Sequence, residues 1–125
     1  MRERIRDKGR LQDILEYAGN ALQYVEGISY EDFVADRMRY FAVMKNVEIV
    51  GEAAYMLTKE FKEEHPETNW SVVQGMRHVL VHGYAHINPN TLFDTAVNGL
   101  PILREQVSRY LSETDWSEWE ESGEV

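Results

Sequence analysis

The run Gly75-Met76-Arg77-His78-Val79-Leu80-Val81-His82-Gly83-Tyr84 sets a permanent cation, an imidazole and a phenol close together in one short stretch. Arginine is suited to phosphate because its planar guanidinium presents a fixed fork of donors. Histidine takes or gives a proton near neutral pH. Phosphodiester chemistry without a metal needs little beyond these two groups, provided Arg77 and His82 converge on the same phosphate. Taken singly, each has an ordinary explanation as well. An arginine at the edge of an amphipathic helix is commonly solvated or ion-paired, and a histidine near a helix C-terminus is favoured there by the macrodipole.

Helix geometry tests the spacing. On an ideal helix, at about 100° per residue, Val72, Val73, Met76, Val79 and Leu80 fall within an arc of roughly 120° and form one apolar face. Ser71, Gln74, His78 and His82 form a polar stripe opposite. Arg77 lies at the edge, roughly 140° around the axis from His82 and about 7.5 Å along it. One helix alone does not bring the two side chains face to face. Either the arginine stem wraps around, or the same helix of a second subunit completes the site. The second solution is preferred, because a two-fold axis along the stripe gathers two arginines and several histidines into one cleft.

The elements that must position this stretch read as helices throughout. Leu11, Ile14, Leu15, Ala18, Leu22 and Val25 recur at helical intervals, with Gly27 as a stop. Ser29 and Asp32 resemble a capping box. Val43, Val47, Val50, Ala54, Leu57 and Phe61 predict one long second helix ending before His65-Pro66. Gly51, in its middle, costs about 1 kcal/mol against alanine, which points to a close helix contact there. Asn69 is a candidate N-cap for the motif helix and Gly83 its terminator. Asn88 and Pro89 suit the cap and first position of a last helix, which Pro101 must kink or interrupt. The expected fold is all-α, an antiparallel up-and-down bundle of four to five helices.

The stretches Lys45-Asn46-Val47-Glu48-Ile49-Val50-Gly51-Glu52-Ala53-Ala54, Asn69-Trp70-Ser71-Val72-Val73-Gln74-Gly75-Met76-Arg77 and Leu80-Val81-His82-Gly83-Tyr84 resemble the HepT toxins of the HEPN superfamily. The resemblance covers most of residues 1–112, in order and spacing. Arg77, His82 and Tyr84 satisfy that family's motif of Arg, four residues, His, one residue, Tyr. His78 departs from it, standing where relatives commonly carry Asn or another small polar residue, so it either aids proton transfer or only fills the polar position. The resemblance implies a HEPN-like bundle and a metal-independent endoribonuclease, the toxin of a bacterial toxin–antitoxin pair, with Arg77 and His82 catalytic. It also implies a minimal nucleotidyltransferase antitoxin as partner, which transfers AMP onto Tyr84. A homodimer acting on RNA, with no cofactor, completes that picture. The alternative is a non-catalytic dimeric HEPN module that binds nucleotide, RNA or a protein partner through the same stripe.

Composition bounds these readings. With 125 residues, 43% of them hydrophobic, the chain can bury one core. No apolar run approaches the ~20 residues that span a bilayer, so no membrane role is expected and the cytoplasm is the expected compartment. The absence of cysteine excludes disulfides and thiolate catalysis. A net charge of -9 at first argues against a polyanionic substrate. The final stretch 113–125, however, holds six acids and no Lys or Arg, leaving 16 acids against 13 bases in the rest. The domain boundary is therefore placed between a helical body, 1–112, and an acidic flexible tail, 113–125. A sharper reading of the tail, with Trp116 and Trp119 among its acids, has it docking on a basic cleft in imitation of RNA. His78, His82 and His86 recur every four residues, as zinc ligands on a helix can, but no acid joins them and no metal is expected.

Overall fold

A computed structural model describes residues 3–78 and 88–122, and every regular element among them is helical. A 3-10 turn at Arg4–Arg6 leads into α1 (Asp7–Val25). There follow α2 (Tyr30–Ala35), α3 (Arg37–Met56), α4 (Lys59–Glu64) and α5 (Trp70–Gly75). Beyond the undescribed stretch come α6 (Pro89–Asp94), a π-helical turn (Thr95–Gly99), α7 (Leu100–Glu113) and α8 (Trp116–Ser122). The all-α bundle is as expected, with more helical segments than the expected four to five because two long helices are broken and residues 116–122 add another.

Steps of three and four residues decide which faces are buried. Leu11, Ile14, Ala18, Ala21 and Val25 of α1 are all buried, and Gly27, at φ 71°, turns the chain out of that helix. The Ser29 hydroxyl accepts from the Asp32 amide at 3.1 Å, as the capping pattern predicts. Helix α3 runs antiparallel to α1: Asp7 meets Thr58 at one end, and Asn20 donates to Asn46 at 3.2 Å further along. Because α3 packs on α1 and on α5, both its flanks are buried, from Tyr40, Val43 and Met44 through Val47, Val50, Ala53 and Ala54. Helix α7 lines the other side of α1 with Leu100, Leu103, Val107 and Tyr110.

The expected single helix from Val43 to Phe61 is interrupted at Leu57–Thr58. Thr58 is extended and caps α4, accepting from the Phe61 amide at 3.2 Å. Its own amide and hydroxyl donate to the buried Asp7 carboxylate at 2.8 and 2.6 Å. A buried carboxylate demands donors, and the chain breaks a helix to provide two. The interruption expected from Pro101 takes the form of the π turn: the Leu100 amide reaches back five residues to the Thr95 carbonyl. The helix widens before a residue that has no N–H to give.

The flexible tail expected at 113–125 is corrected over its described part. Residues 116–122 form α8, with Trp119 only 8% exposed. The Trp119 indole donates to Asp7 Oδ2 at 2.9 Å, and Arg4 lies 3.9 Å over the ring. Trp116 stacks on Phe61 with centroids 6.0 Å apart. Two large aromatic surfaces and a ready acceptor outweigh the acidic composition.

Asp7 thus joins α1, α4 and α8. Asp7→Ala should lower stability by about 3 kcal/mol, since it orphans the Thr58 amide and the Trp119 indole. Urea unfolding followed by tryptophan emission measures this; an unchanged midpoint would show that the three bonds contribute nothing net.

Candidate active site

The motif begins on α5, whose start is set by Asn69: its side chain accepts from the Val72 amide at 3.2 Å. The end that the sequence predicts for this helix, Gly83, lies outside the described residues, and α5 itself ends earlier. It stops at Gly75, and Met76 and Arg77 form a turn in which the Met76 amide reaches Val73 O at 3.1 Å and the Arg77 amide reaches Gln74 O at 3.4 Å. His78 is helical again. The angle between Arg77 and His82 expected from an ideal helix lies outside the described residues, since His82 is not among them. Val72, placed on the apolar face by periodicity, is 60% exposed, while Val73 is buried.

Gly51 governs where the turn sits. A Cβ on Gly51 would lie 2.7 Å from the Met76 carbonyl carbon and 2.9 Å from Met76 Cβ, and would collide outright with the Arg77 amide nitrogen. The close contact that the sequence predicts at Gly51 is with the backbone of the motif arginine. One turn further along α3, on the same face, Tyr55 receives the arginine side chain, with Arg77 Cζ 3.6 Å from the ring centroid. Lys62, from α4, donates to Gln74 Oε1 at 3.0 Å and to the Tyr55 carbonyl at 3.4 Å, and its Nζ stands 6.0 Å from the Tyr55 ring. The Arg77 Nε is buried and has no hydrogen-bond partner among the described residues.

Residues of three helices thus hold one guanidinium at a turn next to the exposed His78, with the Lys62 ammonium bonded to the carbonyl of the same tyrosine. A guanidinium held this way can bind an anionic oxygen cluster such as a phosphate. His82 and Tyr84, the other motif residues, lie outside the described residues, as does His86. Among the described residues no group of three or more His, Asp or Glu is arranged to hold a metal.

Sequence reasoning missed Tyr55 and Lys62. Tyr55 was open to inference, because it stands four residues after the glycine expected to make a close contact. Lys62 was not, since its reach to Gln74 depends on the break at Thr58.

The HepT-like family model, described as ribonuclease HepT-like, matches residues 14–110. "Putative RNase TTE0752" of Caldanaerobacter subterraneus is 38% identical over 101 residues, which are 81% of this chain and 90% of that protein. "Probable ribonuclease HepT" of Thermococcus cleftensis is 34% identical over 97 residues, covering 78% of this chain and 88% of that protein. No solved structure matches the chain.

Gly51→Ala should destabilise the protein by about 2 kcal/mol, because the methyl meets backbone and not the yielding end of a side chain. Gly9, where an added methyl would have nothing within 4 Å, is the control. There alanine should gain up to about 1 kcal/mol from helix propensity. Equal midpoints for the two variants in urea would remove Gly51 as the constraint on the turn.

Proposed function

Because the chain belongs to the HepT-like ribonuclease family, we propose that it cuts RNA without a metal, at a site built on Arg77 and His82, as the toxin of a HEPN toxin–antitoxin pair. One observation supports this most directly: the motif arginine is packed by its backbone against Gly51 and by its guanidinium against Tyr55. A solvated surface arginine would have neither contact, and a preorganised cation is what a charged transition state rewards.

In the proposed reaction His82 removes the proton of a ribose 2′-hydroxyl. The 2′-oxygen forms a bond to the adjacent phosphorus as the bond from phosphorus to the 5′-oxygen breaks, and the departing oxygen takes up a proton. The products are a 2′,3′-cyclic phosphate and a 5′-hydroxyl. Arg77 holds the non-bridging oxygens and offsets their growing charge. His78, exposed beside Arg77, is the candidate for the second proton role.

A homodimer is part of the proposal, with the face of α5 that carries the exposed Ser71 and Val72 turned towards the partner copy. So is a minimal nucleotidyltransferase antitoxin that transfers AMP to the Tyr84 hydroxyl. The adduct would set a negative phosphate and a bulky nucleoside two residues from His82, repelling and blocking RNA. Among the described residues no helix is long and apolar enough to cross a membrane. The cytoplasm, where RNA is available, is the proposed compartment.

Arg77→Ala and His82→Ala should each lower cleavage of an RNA oligonucleotide by about 10²–10³-fold. EDTA should leave the wild-type rate unchanged, and a 2′-deoxy substitution at the cut site should abolish it. Loss of activity in EDTA, or a His82→Ala variant as fast as wild type, refutes the mechanism. Mass spectrometry after co-expression with the antitoxin should find Tyr84 heavier by one AMP.

A further inference from the structure

On the reading that Arg77 binds the scissile phosphate, we infer that Tyr55 is the positioning residue for its guanidinium. Tyr55 fixes the plane in which the donors of Arg77 meet the phosphate, and the Lys62 ammonium joins the same electrostatic field.

The Tyr55 contact is the shortest cation-to-ring approach among the described residues, at 3.6 Å against 3.9 Å for Arg4 on Trp119 and 4.7 Å for Arg37 on Tyr40. At that distance the guanidinium lies against the phenol face. The donors of a guanidinium that lies along a ring face point away from it within the guanidinium plane, the arrangement that a two-pronged grip on phosphate uses. No hydrogen bond to a described residue competes for this orientation, and the buried Nε has no partner among them. Among the described residues the guanidinium meets the Tyr55 ring and no hydrogen-bond acceptor.

The platform is itself tied down. Lys62 holds the Tyr55 carbonyl and the Gln74 side chain, and the Gln74 carbonyl accepts from the Arg77 amide. The circuit closes when Arg77 returns onto the Tyr55 ring, and its four members come from α3, α4 and the end of α5. Gly51, one turn before Tyr55, keeps the two backbones close enough for the ring to be reached. A tyrosine that only filled space would need neither the face-on approach nor the closed circuit.

A structural and a positioning role differ in what they do to kinetics. Loss of the ring leaves the guanidinium present and charged but free to swing, so ground-state binding survives while alignment in the transition state suffers. In the full-length protein, Tyr55→Met, which keeps bulk without a ring, should lower kcat for an RNA oligonucleotide by about ten- to a hundredfold, with KM within about threefold. Tyr55→Leu should behave alike, and Tyr55→Phe, which keeps the ring, should restore kcat to within about threefold of wild type.

Proton–nitrogen NMR reads the stack independently of activity. The Arg77 Nε–Hε signal, identified by its loss in Arg77→Lys, should be shifted upfield by the ring in wild type and Tyr55→Phe and should return towards the free value in Tyr55→Met. An unmoved signal in Tyr55→Met, or a kcat within about twofold of wild type, overturns the inference. A wild-type protein that cleaves no RNA overturns the ribonuclease reading and the catalytic role of the stack together, while the Hε shift still decides whether Tyr55 orients Arg77. Should Tyr55→Leu unfold, the Met and Phe pair carries the comparison.

Discussion

The absence of one side chain, at Gly51, sets the arrangement on which the rest of the candidate site depends. A glycine inside a helix costs about 1 kcal/mol in propensity. Here it allows the end of α5 to press its backbone onto α3, at a separation that alanine would close off. Three consequences follow from that approach. The Met76–Arg77 turn is seated, Arg77 comes within reach of the Tyr55 ring on the same face, and α3 is covered on its second flank. Close packing of this kind has few alternative arrangements, so the placement of the motif arginine inherits the rigidity of the core.

Where information was local, the sequence was a good guide to the structure. Ser29, Asn69 and Asn88 cap the helices they were expected to cap, since a cap bonds to an amide two or three residues away. The apolar steps of α1 gave its core face for the same reason, and the cost of an interior glycine pointed to Gly51. Where the deciding partner was distant, local periodicity failed. The break at Thr58 depends on Asp7, 51 residues earlier, and the docking of α8 depends on the bond from Trp119 to that same carboxylate, across 112 residues. The turn at Met76–Arg77 was hidden in the same way, because its cause lies on α3. For the site, the motif pointed to Arg77, but the groups that hold it had to be seen in three dimensions.

The charge of the molecule takes on a different meaning once its acids are placed. A net charge of -9 spread evenly would repel RNA, yet part of it sits on α8, which is fixed at the amino-terminal end by Trp119 and Arg4. The tail imagined as an imitation of RNA therefore makes its described contacts with Arg4, Asp7 and Phe61, and not with Arg77. Arg37 and Arg39 make their described contacts away from the motif: Arg37 lies over Tyr40 and Phe41, and Arg39 pairs with Asp36 at 3.5 Å.

On the proposed function, recognition of a phosphate is then a short-range matter. At physiological ionic strength, charges are screened beyond about 8 Å, so a body of mild net acidity can be offset locally by cations such as Arg77 at its turn and Lys62 on α4. Screening also sets what those cations must do. They cannot rely on long-range attraction to gather substrate, so their contribution has to come at contact, where direction counts as much as charge. A guanidinium held 3.6 Å over a ring meets that demand better than a larger number of mobile lysines would. On this argument an acidic fold and a phosphate-binding site are compatible, because geometry replaces net charge as the source of affinity.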